Sequence, residues 1–189
     1  MPPKIKITRE SIVNAAVEIV RLHGADSINA RNVASVLKSS TQPVFSNFST
    51  VDELRLAVVE KAEVLCREYI RTEMESGKYP DYKASGMAYI RFAKEEKELF
   101  KLLYMRDRSK EALPENINLD FEMETLVQNN TGLSGDPLKL FHLEMWAYVH
   151  GIASMFATGF LDLDWDLVGK MLTDVYQGLR KQYGLGDKQ

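Results

Sequence analysis

The sequence has a single cysteine, Cys66, among its 189 residues. One thiol cannot form an intramolecular disulfide, and a chain of this length buries a core without such a bridge. We therefore interpret Cys66 as a packing residue in a protein of a reducing compartment.

Long apolar runs are also missing. The longest uncharged stretch, residues 145–161, is shorter than the roughly 20 apolar residues that span a bilayer, and it contains His150. The first ten residues carry charges and lack the apolar segment of a signal peptide. We expect a cytoplasmic protein with no membrane partner.

Sequence motifs for catalysis are absent as well. The chain contains no Glu-x-x-His pair of a di-iron bundle, no phosphate-cradling Gly-x-x-x-x-Gly-Lys and no Gly-x-Ser-x-Gly nucleophile elbow. Neither His23 nor His142 has metal-ligand spacing to His150. The expectation is a protein that is not an enzyme and that needs no cofactor or metal.

The overall charge of −3 argues against a nucleic-acid-binding protein, but the distribution of charge favours one. Residues 1–50 carry six basic and three acidic groups, a net +3, which leaves −6 for the remainder. A basic N-terminal part suits an approach to phosphates.

Helical periodicity dominates the sequence. In the first segment, apolar residues recur at spacings of three and four from Ile12 to Val20, which predicts an amphipathic helix. Thr8 is predicted to cap this helix, and Gly24 is predicted to end it. Asn29 is predicted to cap a second short helix that ends near Leu37, and Ser40 a third over residues 41–48. Residues 50–53 have the form of a capping box before a long helix to about residue 72.

Further helices are predicted after the turn at residues 76–81. They cover residues 83–104 with a break at 95–98, then about 119–129 after a break at 106–118. Asp136-Pro137 predicts another helix start, and either Asp164 or Asp166 opens the last helix. No alternating strand pattern or internal repeat is present, so the predicted fold class is all-α.

Short helices followed by a long capped helix form a helix-turn-helix arrangement. The residues at 12–20, 23–24, 28–31, 33–34, 40–48 and 53–54 resemble the TetR family of bacterial transcriptional regulators. Downstream, residues 146–151 (Trp-Ala-Tyr-Val-His-Gly) resemble the tryptophan-histidine-glycine type of C-terminal domain in that family.

The resemblance implies a DNA-binding domain at residues 1–50 and a ligand-binding and dimerisation domain at 51–189, with a connecting helix at about 51–72. It implies a homodimeric regulator of double-stranded operator DNA, most simply a repressor released by an apolar small-molecule effector. Three positions depart from the family, which usually has glycine at Lys38, tyrosine at Phe45 and lysine at Val51. The last two normally contact phosphates, so their loss predicts weaker nonspecific binding.

The candidate DNA contacts follow from side-chain chemistry. Gln42 and Asn47 can pair with adenine in the major groove, and Thr41 offers a hydroxyl and a methyl group. Phe45 either contacts a thymine methyl or sugar, or fills the core. The full predicted DNA-binding set is Lys4, Lys6, Arg31, Lys38, Ser40, Thr41, Gln42, Phe45, Ser46 and Asn47.

Bulky apolar residues of the middle helices supply a candidate effector pocket. They are Tyr89, Phe92, Phe100, Leu103, Tyr104, Met105, Phe121, Met123 and Trp146. Apolar stripes on the last two helices supply a candidate dimer interface, in which two helices from each chain form a four-helix bundle. Its residues are Met145, Val149, Ile152, Phe156, Leu167, Met171, Val175 and Leu179. Whether Trp146 and His150 line the interface or the core is left open.

The alternative function is a helical protein that binds a ligand or partner without contacting DNA. The two missing phosphate contacts support this alternative. The sequence does not identify the operator, the effector or the target gene, and it does not separate repression from activation.

Overall fold

The structure, a computed structural model, describes residues 7–106 and 121–186, without the side chain of Phe121. Within these residues the chain is helical and has no strand, which confirms the all-α prediction. A short 3-10 turn covers Ala25–Ser27. The helices are α1 Arg9–His23, α2 Ala30–Val36, α3 Gln42–Asn47, α4 Val51–Glu75, α5 Asp81–Glu95, α6 Lys97–Tyr104, α7 Phe121–Thr131, α8 Gly135–Thr158 and α9 Trp165–Gln182.

Three predicted helix caps are confirmed. The Thr8 side chain accepts the amide proton of Ser11, and the Asn29 side chain accepts that of Asn32. Asp164, rather than Asp166, caps α9. Each cap satisfies an amide that the first turn leaves without a helical partner.

Two predicted helix starts are wrong. The residue before α3 is Thr41 and not Ser40, and its side chain makes no capping hydrogen bond because its own backbone is already helical, with φ −74° and ψ −12°. Helix α8 begins two residues early, after Ser134, so Asp136 lies in the first turn instead of capping it. An acid in the first turn is stabilised by the helix dipole in either position, so sequence alone does not separate the two starts.

The remaining bounds lie close to prediction. The break in residues 83–104 is confirmed at Glu96, between α5 and α6. Helix α4 extends three residues past the predicted end. Most of the predicted break at 106–118, and the predicted helix start at Leu119, lie outside the described residues.

The chain divides into two compact units. Among the described residues, the first contains 7–67 together with 96–106, and the second contains 68–95 and 121–186. In the first unit α1 packs against α2, α3 and α6. Its buried side chains come from these helices, from Phe48 after α3 and from the start of α4. They include Ile12, Val20, Val33, Val44, Phe48, Leu54, Leu99 and Phe100.

The second unit is built around the packing of α5 against α8, with α7 and α9 beside them. A cluster of buried side chains lies between these helices, formed by Tyr82, Val127, Leu138, Phe141 and Met145. The assignment of functional domains at residues 1–50 and 51–189 stays a prediction.

Candidate nucleic-acid interface

The turn from α2 to α3 is a Schellman motif centred on Lys38. The Lys38 amide donates to the Ser35 carbonyl at 3.1 Å, and the Ser39 amide donates to the Ala34 carbonyl at 2.9 Å. Lys38 has a φ of 51°, in the left-handed region that favours glycine. The geometry gives a physical reason for the glycine that the family resemblance places here.

Helix α3 is held by one face and exposes the other. Val44 and the following Phe48 are almost fully buried, whereas Gln42 and Ser46 are exposed. The Phe45 ring is 55% exposed. Since this ring is not part of the core, contact with a thymine methyl or a sugar remains its predicted role.

Two of the polar side chains of α3 are engaged in hydrogen bonds within the helix, and a third is not. The Asn47 side chain is half-buried and donates through Nδ2 to the Pro43 carbonyl at 2.8 Å. The Ser46 hydroxyl donates to the Gln42 carbonyl at 2.9 Å. The Gln42 amide is exposed, which makes it the side chain best placed for a paired contact with a base.

Basic side chains flank α3. Arg31 on α2 and Lys38 in the turn are exposed, and within the described parts of the chain neither forms an ion pair. They are available for phosphates. Ser40 is exposed and Thr41 is half-buried. Lys4 and Lys6 lie outside the described residues.

Two tyrosine–histidine pairs join α5 to α8 in the second unit, and the predicted effector-pocket residues Tyr89 and Trp146 lie at one of them. Tyr89 Oη lies 2.9 Å from His150 Nδ1, and Tyr82 Oη lies 3.0 Å from His142 Nδ1. The Trp146 ring stacks on His150 at 4.9 Å between centroids. Burial lowers the pKa of His150. The neutral imidazole is therefore favoured, and its unprotonated nitrogen can accept a hydrogen bond from the tyrosine hydroxyl.

Other predicted pocket residues have separate surroundings. Phe92 is fully buried and packs edge-to-face with Tyr69, and Met123 packs on the cluster around Phe141. The remaining four belong to the first unit, where Phe100 and Leu103 are buried, Tyr104 is half-buried and Met105 is 45% exposed. The Phe121 side chain lies outside the description.

Half of the predicted dimer-interface residues are covered within their own unit. Met145, Val149, Ile152 and Phe156 on α8 are each no more than 7% exposed. They therefore offer little surface to a second chain, because α8 uses this stripe to pack in the core. Leu167 on α9 is 45% exposed, and the other three predicted positions, Met171, Val175 and Leu179, are half-buried.

The opposite face of α8 is exposed and lies outside the predicted set of interface residues. Leu140 is 50% exposed, Met155 is 36% exposed, and Ala147 and Gly151 lie between them on the same face. A Cβ added at Gly151 would meet no atom within 4 Å. Small residues such as Ala147 and Gly151 let another helix approach this face closely.

The described residues offer neither a membrane span nor a metal site. No helix there is long and apolar enough to cross a bilayer. No group of three or more His, Cys, Asp or Glu side chains there is arranged to hold a metal ion.

A family model and a solved structure are both similar to this chain. Residues 82–175 match the family model described as "Tetracyclin repressor-like, C-terminal domain". This region is similar to the C-terminal domain of that family. A crystal structure of a TetR-like transcriptional regulator from Rhodococcus sp. RHA1 aligns with 96% of this chain and 100% of its own, at a TM-score of 0.65 and 16% identity. No curated protein sequence matches the chain.

The family model covers residues 82–175 and does not include the N-terminal residues that carry the resemblance. At 16% identity the solved structure shows a shared fold. Both matches are to regulators and not to enzymes, in agreement with the expectation of a non-enzymatic protein. Neither match distinguishes the tryptophan-histidine-glycine type, which stays a prediction.

Proposed function

We propose that the protein is a sequence-specific DNA-binding transcriptional regulator whose α3 enters the major groove. The observation that carries this proposal is the placement of α3. Val44 and Phe48 anchor the helix in the core while Gln42 and Phe45 face solvent beside the exposed cations of α2 and the turn. This is the arrangement that base readout with flanking phosphate contacts requires.

The active form in this proposal is a homodimer. One six-residue helix buries too little surface for useful specificity, so two copies must read two half-sites. The exposed face of α8, with Leu140 and Met155 around Ala147 and Gly151, is the surface we assign to the second copy. The exposed Leu167 of α9 is included in this assignment.

Regulation is assigned to an apolar effector of the second unit, which releases the repressor from its operator. The two tyrosine–histidine pairs place polar groups inside an otherwise apolar contact of α5 and α8, and sites for small molecules have this composition. The effector must favour a conformer that does not fit the operator, because a ligand without that preference shifts no equilibrium.

Selection of bound duplexes from a random pool tests the DNA-binding function. The expected result is an enriched site with two-fold symmetry and two half-sites about one helical turn apart or a multiple of it. Enrichment of no site at low salt would contradict the proposal and favour the alternative, a ligand- or partner-binding protein without DNA.

A separate experiment tests the effector. Compounds that raise the melting temperature are titrated into a complex of the protein with its selected site, followed by fluorescence anisotropy. Release of DNA by a stabilising compound is the expected outcome. If bound compounds leave operator affinity unchanged, the regulatory part fails while the DNA-binding part stands.

A further inference from the structure

The C-terminal end of α3 is tied to the start of α1 by Arg9. Its Nη1 donates to the Asn47 carbonyl at 2.9 Å and to Glu53 Oε1 at 3.0 Å. The guanidinium also lies over the buried Phe48 ring, 4.1 Å from its centroid. Asn47 is the last residue of α3, so Arg9 supplies a donor to a terminal carbonyl of that helix.

Glu53 extends this network along the linker between α3 and α4. Its second carboxylate oxygen accepts the Ser49 amide proton at 2.8 Å, and its own amide donates to Thr50 Oγ1 at 3.1 Å. Only half of the predicted capping box is therefore formed, because the carboxylate binds Ser49 and Arg9 instead of the Thr50 amide. The Ser49 amide and Arg9 lower the pKa of the Glu53 carboxyl, which keeps both acceptor oxygens charged at neutral pH.

All four residues from 47 to 50 thus have a fixed contact. Asn47 and Phe48 are held by Arg9, and Ser49 and Thr50 are held by Glu53. Arg9 and Glu53 bind each other across 44 positions of sequence. The pair connects α1, α3 and α4 at the end of the helix that we assign to the groove.

We propose that Arg9 and Glu53 are positioning residues that set the orientation of α3 against α1, and hence the sequence specificity of DNA binding. This inference rests on the proposed function. The Arg9 and Glu53 side chains are 49% and 40% exposed, and an ion pair so exposed adds little to stability. Its contribution is geometric, since a misaligned α3 would lose base contacts before it lost phosphate contacts.

Glu53→Ala separates positioning from electrostatics because the two predict opposite signs. Removal of a negative charge near DNA should by itself strengthen binding to any duplex. If Glu53 positions α3, affinity for the selected site falls by roughly threefold to tenfold while affinity for random DNA is unchanged or rises.

Asp52→Ala is the matched control. Asp52 is the neighbouring acid in the same helical turn, is 83% exposed, and pairs with Arg55 within α4. Its removal deletes the same charge without releasing the linker, so both DNA affinities should stay the same or rise. Thermal unfolding by circular dichroism should show similar midpoints for the two variants.

Arg9→Lys tests the positioning role of Arg9, the partner of Glu53, while it keeps the positive charge. Lysine lacks the planar fork, so the selected site should be bound more weakly while the salt dependence of binding stays that of the wild type. A direct phosphate contact predicts the reverse: Arg9→Lys binds normally, and Arg9→Ala weakens both DNAs and lowers the salt slope by about one.

The outcomes separate the inference from the proposed function. A wild-type protein that selects no site overturns both. A wild type with a selected site, together with Glu53→Ala binding that site as tightly as Asp52→Ala does, overturns only the positioning role. The phosphate-contact pattern for Arg9 also overturns it.

Discussion

Arg21 on α1 forms a two-pronged ion pair with Glu96, the residue that precedes α6. The Arg21 Nε donates to one carboxylate oxygen at 2.8 Å and Nη2 donates to the other at 2.6 Å. Glu96 is 14% exposed, and the pairing raises the pKa of the Arg21 guanidinium. This fork is one of the contacts that hold α6 in the first unit.

Glu96→Gln should lower the free energy of unfolding by about 1–3 kcal/mol, because it breaks a charge-assisted fork in a poorly hydrated position. Glu18→Gln is the control, since Glu18 also binds Arg21 but is 55% exposed. Its expected cost is below about 1 kcal/mol. Urea unfolding followed by far-ultraviolet circular dichroism measures both, and equal effects would contradict the prediction.

Lys38→Gly should stabilise the protein while it weakens DNA binding. Glycine removes the cost of a left-handed backbone at a residue with a side chain, about 1 kcal/mol. It also removes one exposed cation, so the salt slope of DNA binding should fall by about one. Urea unfolding and anisotropy titrations at several salt concentrations measure the two effects. An unchanged slope would remove Lys38 from the phosphate contacts.

Gln42→Ala should weaken binding to the selected site by about 1–3 kcal/mol and leave random DNA nearly unaffected, because a paired amide contact reads one base. Ser46→Ala is the control on the same helix, since the Ser46 hydroxyl already donates to the Gln42 carbonyl. Its effect should be smaller. Competition titrations at fixed salt compare the two, and an equal loss on both DNAs would make Gln42 a nonspecific contact.

The double variant Phe45→Tyr and Val51→Lys should strengthen nonspecific binding. It restores the hydroxyl and ammonium that the family resemblance places at these positions. The added charge should steepen the salt slope by about one. Phe45 is 55% exposed and Val51 is half-buried at the start of α4, so folding should be little affected. Unaltered affinity for random DNA would show that these positions do not face phosphates.

If the proposed dimer forms through the exposed face of α8, Gly151→Leu should convert it to monomer without loss of helix content. The exposed face of α8 has room for the new side chain within the unit, and leucine favours a helix more than glycine does. A second chain packed closely against Gly151 would collide with the leucine side chain. Gly151→Ala is the graded control, with a smaller expected loss of dimer. Sedimentation velocity over a concentration series measures both, and an intact dimer with leucine would place the interface elsewhere.

Local signals in the sequence predicted most of the helices. A cap such as Thr8 or Asn29 depends on atoms three residues apart, so its outcome is set by neighbours along the chain. The break at Glu96 was visible for the same reason, because charge interrupts the apolar stripe there.

Contacts between segments that are distant in the sequence could not be predicted from local patterns. The Arg21–Glu96 fork joins residues 75 positions apart, and nothing in either local pattern indicates its partner. The apolar stripe of α8 was visible in the sequence. An amphipathic pattern does not tell, however, whether the helix that packs against the stripe belongs to the same chain or to another. Here α5 of the same chain packs against α8, and the stripe residues Val149 and Ile152 are buried.

The first unit is assembled from two separate stretches of chain, with α6 returning to it after α5 has been built into the second. A fragment cut after residue 50 would therefore lack the Glu96 carboxylate and the buried Leu99 and Phe100, and its remaining helices would expose apolar surface to water. Transfer of α1, α2 and α3 to another protein would for this reason require residues 96–106 along with the N-terminal stretch.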